Sequence, residues 1–442
     1  MFYRADELLF TLPPAHSYLQ APFFWLFPAG YGTARLAGWC AGVVTLFLLY
    51  RLMRDFEVAP SIAILGVACC GLGRAWYFPW QDSRPDIVCC MFGVAAITLA
   101  CRARKTEGTR EPMLAGLFTG LGGLTHPFAI IFAFQVGGLL LLRSGRLSRR
   151  IRSCVISGSA AILVLSLWLP LIAMEPELFR IQFLNNLRTG SGPGLFSRLL
   201  FPWEFVPTQA LLIHERVGTI QTIVMVTGLL AALVWLRDTR VRLALGLAAS
   251  SLYLHIASIG HHPTKGYLCY SWAMTVVLIV VVLDRMFQWK ALAVHRKSAL
   301  CIVSATAFIL LTPGAGFRTC LKYMTVRDYP QLDCTAFCEA VDQTIPADSR
   351  LIVSPEFVFT FELLGRRPVC ACSQAFYYSV EGLEYDYLVD SRWALGEGIP
   401  ELLHSRKINT YGDRKDVFTC YAEIHVSTNE TAATRQWPRS TE

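Results

Sequence analysis

The stretch YFPWQDSRPDIVCC, residues 77–90, carries two aspartates and an arginine between two strongly apolar runs. Asp86 directly precedes an apolar helical segment, so we expect it to cap that helix and to lie at the positive end of its dipole. Arg84 provides a cation two residues earlier. Because ionisable groups at the edge of a membrane are unfavourable unless they are used, this pair is a candidate catalytic site. The alternative is a hydrophilic turn that only keeps the loop in water, and Asp82 fits that description better than Asp86 does.

A second cluster, in IGHHPTKGYLCY, gathers two histidines, a lysine and two tyrosines where one apolar run ends and the next begins: His261, His262, Lys265, Tyr267 and Tyr270. Cations gathered at such a boundary would suit an anion at the membrane surface, such as a lipid phosphate. Lys265 also has a simpler alternative role, in which its long side chain reaches past the apolar run to water. Adjacent histidines can bind zinc, but no third or fourth ligand stands at a recognisable spacing.

His126, in GLTHPF, falls in another turn between apolar runs and is a third candidate. A histidine before a proline is more often a turn residue whose ring is satisfied locally. The chemistry that these residue types could share is group transfer. Cations would stabilise a phosphate leaving group, and a carboxylate within hydrogen-bond reach would take the proton from an acceptor hydroxyl. The C-terminal part has no glycine-rich phosphate loop and no G-x-S-x-G motif.

The composition predicts that membrane helices position these residues. Of the 442 residues, 54% are hydrophobic and only 16% are charged, whereas a soluble chain carries about a quarter. The mean hydropathy is +0.43. The net charge of +8 comes from short basic clusters between apolar runs, and no basic face is interleaved with aromatic residues. The pattern therefore excludes nucleic-acid binding.

The apolar runs predict an α-helical bundle of about ten spans or half-spans. They lie near residues 33–52, 59–76, 87–101, 113–125, 127–142, 154–173, 218–236, 241–259, 266–284 and 298–314. The aromatic run at 18–28 is too short to cross a membrane and is predicted to be an interfacial helix.

Arginine and lysine positions predict the orientation of these spans. Basic clusters fall at residues 51–56, 101–110, 143–154, 237–242 and 285–297. By the positive-inside rule these loops face the cytoplasm. The loops that contain Asp86, His126 and Lys265 then all face outward, as does everything after residue 318. We therefore expect a multi-pass protein of the cytoplasmic membrane with its C-terminal part outside.

The C-terminal part changes composition and alternates predicted helices with strands, which is typical of a small α/β domain of about 110 residues. Six of the 15 cysteines lie in it: Cys320, Cys334, Cys338, Cys370, Cys372 and Cys420. An even number in an exported domain permits disulfides, but the sequence does not give their pairing. The predicted boundaries are 1–317 for the membrane domain, 318–425 for the α/β domain and 426–442 for a disordered tail.

Four stretches resemble, in their order and spacing, the GT-C class of polytopic membrane glycosyltransferases: PPAHSYLQAPFFWLFPAGYGTARL, DSRPD, GLFTGLGGLTHP and KGYLCYSWAMTVVL. The chain is similar over residues 1–425 to the branch that includes bacterial 4-amino-4-deoxyarabinose transferases and protein O-mannosyltransferase-like proteins. The resemblance implies transfer of a sugar from a polyprenyl-phosphate donor to a lipid, glycan or protein acceptor outside the cytoplasmic membrane. It implies that Asp86 belongs to the active site, and it leaves a divalent cation open. The donor phosphate would be bound by residues chosen from Arg84, His126, His261, His262, Lys265, Tyr267 and Tyr270.

The chain departs from the family at its start. In the family a first membrane helix precedes an acidic Asp-Glu pair, which carries the expected base. Here no span precedes residue 18, and Asp6 and Glu7 lie close to PPAHSY. Either the true start lies upstream, or Asp6 or Glu7 takes over the role, or the protein is inactive. Two other classes stay open, a lipid-linked glycan transporter and a non-catalytic scaffold. A transporter would favour inverted repeats, which the sequence lacks.

Overall fold

The computed structural model describes residues 10, 12–81, 83–184, 194–260, 267–288, 321–322, 324–325, 332–371, 373–374, 378–392, 398–416 and 419–428. The chain divides into two compact units. The helical unit comprises Leu12–Glu175 and Leu187–Cys320, and the sheet unit comprises Met1–Thr11, Pro176–Asn186 and Leu321–Glu442. The domain boundaries drawn from the sequence remain a prediction.

The helical unit begins with nine helices: α1 (Ala15–Leu26), α2 (Tyr31–Asp55), α3 (Pro60–Leu72), α4 (Arg74–Gln81), α5 (Pro85–Ala103), α6 (Arg110–Gly123), α7 (Ala129–Leu141), α8 (Leu147–Leu165) and α9 (Leu169–Met174). A 3-10 turn at Ser166–Trp168 joins the last two. After α10 (Pro176–Phe179) and the π-helical turn Arg180–Leu184, five more helices follow: α11 (Leu195–Leu200), α12 (Val206–Val217), α13 (Thr219–Val234), α14 (Thr239–Ile259) and α15 (Cys269–Phe287). A 3-10 turn at Pro202–Glu204 precedes α12.

Five helical stretches among the described residues are long and apolar enough to cross a membrane: Tyr31–Asp55, Pro85–Ala103, Leu147–Met174, Thr239–Ile259 and Cys269–Phe287. Three shorter apolar helices, α3, α7 and α13, match predicted half-spans. The prediction of a polytopic helical bundle is thus confirmed, and the run at 18–28 forms α1. The predicted span at 298–314 lies outside the described residues.

Helix α5 forms the centre of the helical unit. It packs against α2, α6 and α7, and almost its whole surface is buried, whereas Leu147–Met174 is mostly exposed. Exposed leucine and isoleucine on α8 are stable only if apolar lipid covers them. Because α5 is enclosed, a charged residue at its start has its partners inside the protein.

The sheet unit contains a five-stranded sheet in the order β2-β1-β5-β7-β6 and a two-stranded one, β3-β4. The strands are β1 (Leu351–Val353), β2 (Val369–Cys370), β3 (Ser373–Gln374), β4 (Tyr378–Ser379), β5 (Tyr387–Ser391), β6 (Ser405–Tyr411) and β7 (Ala422–Ser427). The helices beside them are α16 (Cys334–Asp342), α17 (Pro355–Leu363) and α18 (Ile399–Leu402). The strands β2, β1 and β5 run parallel, while β7 pairs antiparallel with β5 and β6. The predicted small α/β fold is confirmed, although the sequence did not predict strands β3, β4 and β6.

Candidate active site

The centre of the candidate site is the carboxylate of Asp86, which is completely buried in the first turn of α5. Its Oδ2 accepts a hydrogen bond from Nε of Arg84 at 2.9 Å. Its Oδ1 accepts one from the hydroxyl of Tyr270 at 3.2 Å. Nε2 of His126 lies 3.8 Å from the same Oδ1. Three separate stretches that the sequence analysis singled out therefore meet around one buried carboxylate.

The start of α5 differs from the sequence prediction in one respect. Arg84 occupies the N-cap position, Pro85 is the first helical residue, and no side chain caps the helix. The expectation that Asp86 caps α5 is thus wrong, because its carboxylate accepts hydrogen bonds from Arg84 and Tyr270 instead. Asp86 still lies at the positive end of the helix dipole, as expected. A buried carboxylate without partners would be strongly unfavourable, and these two donors offset its desolvation.

His126 is buried in the short connection between α6 and α7. Its Nδ1 accepts a hydrogen bond from the backbone N–H of Phe128 at 3.2 Å. This geometry assigns the proton of the neutral ring to Nε2, the nitrogen that faces Asp86. Burial lowers the pKa of His126, the charge of Asp86 opposes that shift, and Arg84 adds to it. The ring is therefore neutral at pH 7, and it presents an N–H to the carboxylate rather than a positive charge to a phosphate.

Arg84 supplies the positive charge of this group, and 34% of its side chain is exposed. Its guanidinium lies 5.4 Å from the ring centroid of Tyr267. That ring in turn meets the ring of Phe128 edge-on, with 4.7 Å between centroids. Burial is the largest single influence and lowers the pKa of Arg84, but the charge of Asp86, its hydrogen bond to Arg84 and the nearby Tyr267 together raise the pKa above its usual value. The guanidinium is therefore permanently charged, fixed through Nε, and open to an anion on its exposed side.

His16, which the sequence analysis did not single out, also reaches this group. It lies in the first turn of α1 and hydrogen-bonds the backbone of Ser83. Burial lowers the pKa of His16 while the charge of Asp86 raises it, which places the imidazole within electrostatic range of the carboxylate. His16 lies in PPAHSY, one of the stretches that carry the family resemblance. Its position in that stretch is the sequence feature that could have identified it as a site residue.

The loop that carries Arg84 packs closely against α2 because α2 has glycine at the contact. The hydroxyl of Ser83, a residue with a φ of 48°, accepts a hydrogen bond from the backbone N–H of Gly38 at 3.1 Å. A Cβ at Gly38 would lie 2.5 Å from Cα of Ser83, a distance that real contacts do not reach. A Cβ at Gly42 would collide with the indole of Trp80. Two glycines one helical turn apart thus allow the loop to approach α2 closely.

A second cation of the helical unit, Arg198, is also buried. Its side chain is buried on α11, and Nη1 donates to the carbonyl of Ser258, in the last turn of α14, at 2.7 Å. Its Nε is buried without a hydrogen-bond partner. Burial lowers its pKa, and no described carboxylate compensates. No sequence motif points to Arg198, which lies in a long segment between spans.

Five predicted site residues lie outside the described residues: Asp6, Glu7, His261, His262 and Lys265. Gln209 holds the segment just before three of them, since its Nε2 donates to the carbonyl of Gly260 at 2.6 Å. No group of three or more metal-ligating side chains occurs in the part of the chain that the structure describes. The described residues around Asp86 thus do not make a metal site by themselves. They hold one arginine in a fixed position with part of its side chain exposed.

Comparisons with known proteins agree with this architecture. The family of dolichyl-phosphate-mannose-protein mannosyltransferases matches residues 11–173. Among solved structures, ArnT from Cupriavidus metallidurans bound to undecaprenyl phosphate is similar, with a TM-score of 0.51 and 14% sequence identity. The similarity covers 95% of this chain and 89% of that one. No characterised protein sequence matches the chain significantly.

The chain is a multi-pass membrane protein with the fold of the GT-C class, so the resemblance predicted from its sequence is confirmed. The matched family segment contains the stretches around His16, Arg84, Asp86 and His126. The similarity in fold to ArnT extends over nearly the whole chain.

Proposed function

We propose that this protein transfers a sugar from a polyprenyl-phosphate donor to an acceptor at the outer face of the cytoplasmic membrane. The proposal rests on two arginines of the helical unit, Arg84 and Arg198. One is held by a buried carboxylate and is partly exposed, and the other is buried without a described carboxylate partner. An anion that binds both would offset the desolvation of Arg198.

A lipid-linked phosphate fits this site better than a soluble one does. The cations lie at the ends of apolar helices, where a phosphate headgroup and its hydrocarbon chain would meet protein and lipid respectively. The matching family is named for dolichyl-phosphate-mannose, and the similar solved structure holds undecaprenyl phosphate. Both names support a polyprenyl-type phosphate as the donor class, with a hexose or pentose as the transferred sugar.

In the proposed reaction the arginines stabilise the phosphate as it leaves the sugar. Negative charge grows on the phosphate oxygens when the glycosidic bond breaks, and preorganised guanidinium groups lower the energy of that state. Asp86 serves as a positioning residue, because both of its oxygens already accept hydrogen bonds and no part of it is exposed. Tyr270 and His126 present donors to it and keep it beside Arg84.

The acceptor hydroxyl needs a different proton acceptor. Asp6 and Glu7 are the candidates that the family resemblance offers. The acceptor itself is a lipid, a glycan or a protein. Placement on the outer face rests on the arginine-lysine asymmetry of the loops.

The first test measures binding of undecaprenyl phosphate to the full chain in detergent. Changing Arg198 to Gln should weaken binding about tenfold or more, because a charge-assisted hydrogen bond contributes roughly 1.5–3 kcal/mol. Arg180→Gln is the control, since Arg180 is exposed and paired with Glu177, and it should leave binding unchanged. Equal affinity of wild type and Arg198→Gln would contradict the phosphate assignment.

The second test separates transfer from transport. Membranes from cells that lack the protein would receive the purified protein and a radiolabelled polyprenyl-phosphate sugar. Transfer predicts that label leaves the lipid and appears on an acceptor, and that Arg198→Gln slows this step. Movement of intact labelled lipid across the membrane, without loss of its sugar, would instead identify a transporter.

A further inference from the structure

Three cysteine side chains meet in the core of the sheet unit: Cys334, Cys338 and Cys420. The sulfur of Cys334 is hydrogen-bonded to the sulfurs of both others. All three pack in the apolar cluster that contains Phe337 and Val341. None of the three is part of a disulfide in the structure. Two different disulfides are therefore within reach of Cys334, and only one can form at a time.

The backbone on both sides of this contact is fixed. Cys334 is the first residue of α16, whose start is capped by the side chain of Asp333. Cys420 lies two residues before β7, against Gly412, where any Cβ would collide with the Cys420 carbonyl. Gly412 also has a φ of 77°, which favours glycine. Because neither segment can move freely, the sulfur contact is a property of the folded unit.

Helix geometry disfavours the bond between Cys334 and Cys338. These residues are one turn apart on α16, and Cβ atoms at that spacing are about 5–6 Å apart. A disulfide requires a Cβ–Cβ distance of about 3.8 Å. The helix would have to tighten locally to close the bond. Cys334 and Cys420 lie on different elements and have no such constraint.

The solvent exposure of the three side chains also favours a bond between Cys334 and Cys420. Cys338 is completely buried, whereas Cys334 and Cys420 are half-buried and accessible from one side. An oxidant can therefore reach the pair Cys334 and Cys420, but it cannot reach Cys338 in the pair Cys334 and Cys338. A zinc site is the other use of clustered cysteines, but the described residues contain no group that could hold a metal.

We propose that Cys334 and Cys420 form a disulfide when the sheet unit is exported, and that Cys338 stays a thiol. The bond would join α16 to the start of β7, which are 86 positions apart in the sequence. Two thiols lose two protons and two electrons as the S–S bond forms. The electrons pass to a disulfide donor, either a thiol oxidase in the cell or oxidised glutathione in the test, which becomes two thiols.

The test uses the full chain, purified under reducing conditions in detergent and then oxidised with glutathione disulfide at pH 8.5. The alkaline pH is needed because the hydrogen bond to Cys334, together with burial, raises the pKa of Cys338 and Cys420. Remaining thiols are blocked with N-ethylmaleimide after denaturation. Proteolysis and mass spectrometry should then show a peptide with Cys334 linked to one with Cys420, and Cys338 alkylated.

Variants identify the partner within the first peptide, which contains both Cys334 and Cys338. Cys338→Ser should leave the linked peptide intact, and Cys334→Ser should remove it. Cys370→Ser, in β2, is the matched control and should change nothing. Oxidation should also raise the apparent melting temperature of the sheet unit by about 5 °C or more, because the bond closes a long loop.

Absence of the linked peptide in wild-type protein, or a link from Cys420 to any cysteine other than Cys334, would overturn the proposal. The wild-type measurement does not depend on whether a variant folds. The readout is a peptide mass and not an activity, so its failure leaves the proposed sugar transfer untouched. Loss of transfer activity would likewise leave the disulfide assignment standing.

Discussion

Nε of Arg84 donates a hydrogen bond to Oδ2 of Asp86 at 2.9 Å, and each side chain holds the other in position. The carboxylate is fully buried, so it needs donors, and the arginine needs an anchor to point its exposed part in one direction. Tyr270 and His126 complete the set of donors around Asp86. At the residue scale the candidate site is therefore a partly exposed arginine held by a buried carboxylate.

Changing Asp86 to Asn tests this support. The amide would bring N–H donors towards Arg84 and remove the ion pair, so transfer should fall about a hundredfold or more. Binding of undecaprenyl phosphate should weaken as well, because Arg84 loses its anchor. If Asp86 were instead the proton acceptor, activity would fall while lipid binding stayed normal. Asp55→Asn is the control, since Asp55 forms a half-exposed ion pair with Arg102, and it should keep activity within about twofold.

Asp390 predicts how the stability of the sheet unit depends on pH. Burial, together with the smaller effect of the charge of Glu423, raises the pKa of Asp390 from 3.8 to about 7 against the opposing effect of the hydrogen bond from Ser354. The folded state thus binds a proton that the unfolded state releases between about pH 4 and 7. The stabilisation, on the order of a few kcal/mol, is present below pH 4 and is lost as the pH rises through 7.

Thermal unfolding of the full chain between pH 5 and 8.5 measures this dependence. The transition of the sheet unit should move to lower temperature as the pH rises in wild type, and much less in Asp390→Asn. Asp348→Asn, at an exposed position, should retain the wild-type slope. An unchanged slope in Asp390→Asn would show that another group titrates in this range.

At the scale of elements, α2 and the loop before α5 decide where Arg84 points. Their contact requires a hydrogen atom in place of a side chain at Gly38, next to Ser83. Gly38→Ala should push the loop away from α2 at a cost of about 1–3 kcal/mol. We expect loss of lipid binding and transfer with the protein still inserted in the membrane. Gly32→Ala is the matched control, because Gly32 is on the same helix and no atom lies near its Cβ position. It should leave lipid binding and transfer unchanged.

At the scale of the whole molecule, one of the basic loops also has a structural role. Arg143, in one of the basic clusters, is almost fully buried and donates to the carbonyls of Thr106 and Gly108. It joins two loops that the sequence analysis placed in the cytoplasm. Part of the arginine excess is thus structural, which makes a direct measurement of the orientation necessary.

Reporter fusions provide that measurement. A phosphatase reporter fused after residue 320 should be active, because it would lie outside the cytoplasm, and one fused after residue 150 should be inactive. A fluorescent reporter that folds in the cytoplasm should give the opposite result at the two positions. An active phosphatase at 150 would reverse the orientation and place the candidate site on the inner face.

The sequence by itself determined the elements of this protein. Apolar runs and basic clusters predicted the membrane helices because partition of side chains between lipid and water is a local property of each segment. In the sheet unit, the sequence predicted the strands that are mostly buried: β1, β2, β5 and β7. Strand β6 was missed because six of its seven residues are polar or aromatic and its middle is exposed, so it lacks the alternation of a half-buried strand.

Only the tertiary structure decided which residues form the site. Asp86 and Tyr270 are separated by 184 positions, and nothing in either local pattern specifies their hydrogen bond. Arg198 and His16 had no distinctive spacing, and their roles follow from the helices that enclose them. The assignment of Asp86 as a helix cap failed for the same reason: its carboxylate had stronger partners on other helices. Hydrogen-bond partners of buried charges are set by packing between distant segments, and local sequence carries no record of that packing.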